Sequence, residues 1–592
     1  MRREEDDMRE LLKYLKEYRR ESILAPLFKM LEATFELFIP LVVKQIIDVG
    51  IGRGDSGYIL RMGGLLVLLG VVGLAASLTA QYFAAKAAVG FSTSLRNDLF
   101  AHINRLSYAE IDRVGTSTLI TRMTSDVNQV QTGLNLFLRL FLRSPFIVFG
   151  AMIMAFTVDV KSALIFVVVI PLLSVVVFGI MLITMPLYKK VQRQLDRVLL
   201  TTKENLEGVR VIRAFNRQED EMERFDRENS ELVGMQVFVG KISALMNPVT
   251  YVIINGGIIF LVWTAGKQVD MGIITQGAVV ALVNYMSQIL VELIKLANLI
   301  INISKALACA GRVQKVFEEK TSIGEKDGAR VPETVSDAAG SGETVPYKVE
   351  FRDVDFCYGG SKEPSLNAVS LKIRPGQTVG VIGGTGSGKT TLVNLIPRFY
   401  DAFRGAVLVD GQDVREWPVK ALRARIGVVP QRAVLFAGTL RENMKWGRKD
   451  ATDEEIYRAL DIAQAREFVD GKGEGLDLFI TQEGKNLSGG QRQRLTIARA
   501  LVRRPEILIM DDSASALDFA TDARLRRAIK EETGDMTVFL VSQRAATVRN
   551  SDVIVVLDDG QVAGVGTHRE LLDSCEVYRE ICLSQLSPEE VQ

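Results

Sequence analysis

Six apolar stretches, centred near Phe38, Leu69, Ile147, Val169, Ile258 and Ile289, limit what the first half of this chain can fold into. Each reaches the roughly 20 residues that a helix needs to cross a bilayer core. Inside hydrocarbon no water satisfies the backbone, so such stretches are committed to helices, which bond their own N–H and C=O groups. Six crossings would leave both ends of the region on one side. Loops near Ile51, Asp159 and Lys267 carry about one basic residue each, whereas Arg96 to Arg122 and Lys189 to Lys241 are rich in Lys and Arg. The positive-inside rule therefore places the basic loops and both termini in the cytoplasm of a plasma membrane protein.

The chain has 592 residues, too many for one domain, and residues 347–592 mix charged and apolar residues as a soluble domain does. The expected division has four parts. Residues 1–20 form an amphipathic cytoplasmic elbow helix, with Leu11, Leu12 and Leu15 at helical spacing, lying along the inner membrane surface. Residues 21–318 form the membrane domain, with six helices and long cytoplasmic extensions, because helical patterns such as Leu206, Val209, Ile212 and Phe215 continue beyond the apolar stretches. Residues 319–346, rich in Gly, Ser, Ala, Asp, Glu and Pro without periodicity, form a linker. Residues 347–592 form the soluble domain. The fold class is thus an α-helical six-span domain fused to an α/β domain.

Several charges fall in or near the spans. Arg139 and Arg143 could snorkel to the interface, and Glu292 and Lys295, three apart, could neutralise each other. Glu32 and Glu36 lie in the first span, and Asn247, Asn255, Asn284 and Gln288 are either cavity lining or helix-to-helix hydrogen bonders. The four cysteines (Cys309, Cys357, Cys575, Cys582) have no metal or disulfide spacing and are expected to be reduced and structural. A formal net charge of +1 argues against a nucleic-acid partner.

The soluble domain carries the chemistry. An apolar run from Thr378 to Ile382 leads into Gly383-Gly384-Thr385-Gly386-Ser387-Gly388-Lys389-Thr390, followed by a helical pattern through Leu392, Leu395 and Ile396. In the order strand, glycine loop, helix, backbone N–H groups wrap phosphates, Lys389 reaches the terminal phosphates and Thr390 can ligate Mg²⁺. ATP and Mg²⁺ are the expected ligands. Asp511 follows four apolar residues at a strand end, where it can hold the metal's water.

Leu487-Ser488-Gly489-Gly490-Gln491, followed by Arg492-Gln493-Arg494, matches the signature of ABC transporters. Over nearly its whole length the chain resembles an exporter-type half-transporter of that family, as Val429-Pro430-Gln431 and Glu204-Asn205-Leu206-Glu207-Gly208 also indicate. The resemblance implies two ATPase domains meeting head to tail, each nucleotide gripped by one chain's phosphate loop and the other chain's signature. It implies that Tyr358 stacks on adenine, that Gly383, Thr385, Gly386, Ser387, Gly388, Lys389, Thr390 and Thr391 bind ATP, and that Thr390, Gln431 and Asp511 serve the metal. Ser488, Gly489, Gly490 and Gln491 would contact the partner's ATP, and Asp518 would communicate across the dimer.

Two residues depart from the family pattern. Asp512 stands where a catalytic Glu is expected and Gln543 where a His is expected; neither His102 nor His568 can replace that His by position. Asp512 is one methylene too short to reach an attacking water, and Gln543 can hydrogen-bond a γ-phosphate but cannot become cationic. The stretch Ile480 to Gly484 also departs from the usual Val-Gly-Glu-Arg-Gly. The expected protein is the degenerate-site half of a heterodimeric, ATP-driven exporter of amphipathic compounds or lipids, whose partner carries the Glu and the His. A nucleotide-gated regulatory or channel-like subunit, or an importer of the same architecture, are the alternatives.

Overall fold

The computed structural model describes residues 10–324, 330–331, 347–359, 363–513 and 517–586. Residues 1–9 of the expected elbow, most of the expected linker, and Ser515 and Ala516 lie outside the described residues. The chain forms two compact units, Met1–Asn104 with Ser117–Glu318, and Arg105–Thr116 with Glu319–Gln592.

The first unit is helical: α1 (Arg19–Gln45), α2 (Ser56–Ile103), α3 (Val127–Leu140), α4 (Arg143–Val158), α5 (Val160–Glu207), α6 (Val209–Ala214), α7 (Gln218–Ala244), α8 (Met246–Asp270) and α9 (Gln276–Glu318). Short polar caps start the long helices. Asp55 accepts from the Tyr58 N–H at 2.9 Å to open α2, and Asp159 accepts from the Ser162 N–H at 2.8 Å to open α5. Among the described residues five segments are long and apolar enough to cross a membrane: Ser56–Ile103, Thr116–Val158, Val160–Glu207, Gln218–Asp270 and Gln276–Glu318. Helix α1 is not among them, because Lys29, Glu32 and Glu36 interrupt its apolar run.

Those charges are paired. Lys29 lies 2.5 Å from Glu32 and donates to Ser77 Oγ at 3.1 Å. Arg143 is buried rather than snorkelling: Nη2 donates to both Glu36 oxygens at 2.9 and 2.8 Å and Nη1 to Glu292 Oε1 at 2.8 Å. Ser144 Oγ donates to Glu292 Oε2 at 2.8 Å, and Lys295 reaches Glu292 at 2.9 Å, the pairing expected from their spacing. One guanidinium therefore ties α1, α4 and α9 together, next to a core of Leu37, Ile147, Phe166, Leu261, Tyr285 and Ile289. Removing one member of a buried pair leaves an uncompensated charge, at a cost of about 3–5 kcal/mol. Arg143→Met is thus expected to lower the thermal stability of the detergent-solubilised protein by that amount, and adding Glu36→Met and Glu292→Met should restore most of it.

The described first turns pack partly on the helices. Leu11 and Tyr14 are buried, the Tyr14 ring standing edge-on to Phe91 at 6.2 Å, while Leu12 is exposed. The apolar face of this segment is thus spent partly on α2.

The second unit contains a sheet of order β2-β1-β4-β5, built from β1 (Val349–Phe356), β2 (Leu366–Ile373), β4 (Arg404–Val409) and β5 (Gln412–Asp413). A six-stranded sheet has the order β12-β11-β3-β10-β9-β6, with β3 (Thr378–Gly383), β6 (Ile426–Val429), β9 (Ile507–Asp511), β10 (Thr537–Val541), β11 (Val553–Asp558) and β12 (Gln561–Gly566), while β7 (Gly438–Thr439) and β8 (Phe479–Ile480) pair with each other. Strands β11, β3, β10, β9 and β6 are parallel neighbours. Covered on both faces, β9 and β10 are buried at every position, which is why they read as unbroken apolar runs. A short helix, Tyr108–Val114, belongs to this unit although it lies between membrane helices in sequence; Tyr108 packs against Phe399 at 4.7 Å, and Asp112 accepts from the Tyr400 hydroxyl at 2.7 Å.

Candidate functional site

Strand β3 ends at Gly383, and the chain then wraps to the start of α10 (Lys389–Leu395). Two residues of the loop require glycine by conformation, Gly386 at φ 86° and Gly388 at φ 92°. Close approach adds to this: a Cβ on Gly383 would stand 2.1 Å from the Leu557 carbonyl oxygen, and one on Gly388 2.7 Å from that of Ser365. Left-handed backbone costs an L-residue about 1–2 kcal/mol, so Gly388→Ala should weaken ATP binding about five- to thirtyfold, measured by titration with a fluorescent ATP analogue.

Lys389 Nζ donates to the carbonyl oxygens of Gly383 and Gly384 at 2.9 and 2.5 Å and lies 3.3 Å from Ser387 Oγ, folding the loop around its ammonium. Burial pushes its pKa below the ordinary lysine value, and the carboxylates of Asp512 and Asp511 oppose that shift. Thr390 Oγ1 donates to Asp511 Oδ1 at 3.0 Å. Asp511 is buried, and burial raises its pKa, with the Thr390 hydrogen bond opposing and the Asp512 charge adding. Asp512 has its pKa raised by burial too, opposed by Gln431 and by the positive charges of Arg544 and Lys389.

These groups converge on one pocket of about 330 Å³. Its walls come from Tyr358, Thr385, Gly386, Gly388, Lys389, Thr390, Thr391, Gln431, Asp511, Asp512 and Gln543, with Ser365, Val541 and Ser542, which sequence reasoning missed. Ser365 precedes β2, Val541 ends β10 and Ser542 follows it; their types carry no phosphate signal, and Val541 and Ser542 arrive here through the pairing of β10 with β3. Gly383 and Ser387 do not line the pocket. The Tyr358 hydroxyl shares a hydrogen bond with Thr391 Oγ1 at 3.0 Å, and its ring meets Phe356 and Tyr400 edge-on.

Thr390, Asp511 and Gln431 offer only oxygen donors to a cation, and one carboxylate with a hydroxyl suits Mg²⁺, which keeps water and phosphate oxygens as its other ligands. The donor set fits Mg²⁺ held together with a nucleotide.

Asp512 is held in the left-handed region at φ 44°, its N–H donating to the Val541 carbonyl at 2.9 Å. Gln431 Nε2 donates to Asp512 Oδ2 at 3.5 Å, so the expected metal-side glutamine and the substituted base are neighbours.

The signature residues lie elsewhere. Ser488 caps α11 (Gly489–Val502), its Oγ accepting from the Gln491 N–H at 3.2 Å while Gln491 Oε1 accepts from the Ser488 N–H at 3.0 Å. None of Ser488, Gly489, Gly490 and Gln491 lines the Lys389 pocket. Asp518 caps α12 (Phe519–Glu532), accepting from the Thr521 N–H at 2.9 Å.

Comparison with known proteins decides the family. Residues 22–293 match the ABC transporter transmembrane region and residues 366–515 the ABC transporter domain. An ABC transporter ATP-binding protein of Mycobacterium tuberculosis is 36% identical over 97% of this chain and 97% of its own length. The chain belongs to the ABC transporter family. The ATP-dependent lipid A-core flippase of Salmonella typhimurium is 31% identical, covering 94% of each chain. A solved structure of a bacterial Atm1-family ABC exporter with ATP bound shares the fold, with a TM-score of 0.77 at 23% identity, over 96% of this chain and 98% of that one. This ABC transporter therefore joins a helical transmembrane domain to a C-terminal ATPase domain, as the sequence resemblance implied.

Proposed function

We propose that this chain is one half of a heterodimeric ATP-driven exporter of amphipathic compounds or lipids, holding ATP at a slow site of its own and completing the hydrolytic site of its partner. The observation that carries the reading is the Lys389 pocket, where Asp512 and Gln543 occupy the catalytic positions beside complete phosphate-holding groups. The Lys389 ammonium and the loop N–H groups bind and orient the phosphates, and Thr390, Gln431 and Asp511 hold Mg²⁺, which when bound neutralises phosphate charge. Asp512 stops short of a water in line with the γ-phosphate, and Gln543 offers a hydrogen bond without a proton to shuttle. Ser488, Gly489 and Gly490 present a hydroxyl and helix N-terminal N–H groups to ATP on another chain. The amphipathic substrate class is supported by the lipid A-core flippase among the relatives and by the long apolar helices of the membrane domain.

The assembly is tested by purifying the tagged chain from its native membranes. A one-to-one complex with a second half-transporter, carrying Glu after its metal-holding Asp and a His later, is expected, together with uphill accumulation of amphipathic dye in inverted vesicles. Self-paired chains turning over ATP at ordinary exporter rates would sink the heterodimer, and downhill-only flux would favour a channel.

A further inference from the structure

The C-terminal helix α13 (Glu576–Gln585) ends in an amide that grips the backbone on both sides of residue 544. Gln585 Nε2 donates to the Gln543 carbonyl oxygen at 2.8 Å, and Gln585 Oε1 accepts from the Ala545 N–H at 2.8 Å. Ala545 opens the short helix Ala545–Val548, whose first N–H groups have no partner within the helix, so this one side chain both caps that helix and sets the peptide that carries Gln543. The helix presenting Gln585 is itself seated on the phosphate-loop strand. Tyr578 and Cys582 are fully buried in a cluster with Ile382, Ala545, Val548, Ile554 and Val556, and Ile382 immediately precedes Gly383. A second tie, between Tyr578 Oη and His568 Nδ1 at 2.8 Å, fixes the base of the helix.

We infer that Gln585 is a positioning residue for the γ-phosphate contact: it references Gln543 to the phosphate loop through α13. It does not itself line the nucleotide pocket and acts only through the Gln543–Ala545 backbone. The distal end of the chain is thereby coupled to whether the bound nucleotide has a third phosphate, and by reciprocity the nucleotide state biases the order of the helix end.

The inference rests on Gln543 contacting the γ-phosphate, and the test separates the two. ATP and ADP affinities are measured by fluorescence titration on the detergent-solubilised full chain, as wild type, Gln543→Ala, Gln585→Met and Gln585→Glu. Gln585→Met keeps the side-chain length and removes both hydrogen bonds. It should weaken ATP about fivefold, as loss of one neutral hydrogen bond does, leaving ADP unchanged, since a general packing defect would weaken both alike. Gln585→Glu keeps the acceptor for the Ala545 N–H but sets a carboxylate oxygen against the Gln543 carbonyl oxygen, where two acceptors repel, so it should weaken ATP at least as much as Gln585→Met while leaving ADP unchanged. If Gln543→Ala lowers the ATP-to-ADP preference and Gln585→Met does not, the positioning role is overturned while the Gln543 contact stands. If neither changes it, both fall. Equal weakening of ATP and ADP in Gln585→Met also overturns the inference.

Discussion

Purified as a pair of identical chains, the double variant Asp512→Glu, Gln543→His is expected to hydrolyse ATP about 100-fold faster than wild type. On the proposed reading, self-pairing would complete two sites, each from one copy's Lys389 pocket and the other copy's Ser488 to Gln491, so that the substituted residues alone would hold the rate down. The added methylene advances the carboxylate by about one C–C bond, 1.5 Å, and a misplacement of about 1 Å costs roughly 100-fold. A shift of the backbone cannot supply that reach in the wild type. The Asp512 N–H is tied to Val541, and β9 and β10 pair in register from Ile507 and Thr537 up to Asp511 and Val541. Restoring His at 543 adds a group able to become cationic near neutral pH.

A pH profile separates a weak base from none. Because burial raises the Asp512 pKa, its carboxylate is lost to protonation at a higher pH than the ordinary Asp value of about 3.9. Residual wild-type turnover that depends on Asp512 should fall on acidification through that raised pKa, and the Asp512→Asn variant should lack this limb. Rapid wild-type turnover that Asp512→Asn abolishes would overturn the slow-site reading.

Much of this was legible in the sequence because the relevant constraints are local. The glycine loop had to follow a strand and open a helix, and Thr378–Gly383 and Lys389–Leu395 do so. The signature Ser488 to Gln491 is likewise one contiguous run, and it opens the helix Gly489–Val502. Contacts closed across the fold were not legible. The sequence groups Arg143 with Arg139, its neighbour one turn away, yet its partners are Glu36 and Glu292, separated from it by 107 and 149 residues. Ser365 and Ser542 reach the pocket only because β3 pairs with β10 and the β2 end closes over the loop. The grip of Gln585 on Gln543 spans 42 residues and uses a residue type common on any exposed helix end. By chain position the helix Tyr108–Val114 falls within the expected membrane domain, whereas its Tyr108 and Asp112 contacts place it with the ATPase unit.

Ser488→Asp in the heterodimer is expected to abolish ATP turnover, while Asp512→Asn in the same complex changes it less than twofold. Asp is as good an N-cap as Ser, so the Gln491 N–H keeps its acceptor and α11 should form as before, leaving the melting temperature unchanged. What changes is charge. Ser488 is exposed at the helix N-terminus, where the proposal places the γ-phosphate of ATP bound to the partner. A carboxylate there meets phosphate oxygen at close range, and like charges 4 Å apart repel by about 4 kcal/mol in an effective dielectric of 20, roughly a thousandfold. ATP binding in this chain's own Lys389 pocket does not involve Ser488 and should persist, which distinguishes a lost partner site from a misfolded domain. Equal, partial losses from Ser488→Asp and Asp512→Asn would mean two equivalent hydrolytic sites, and the division of labour between the chains would be wrong.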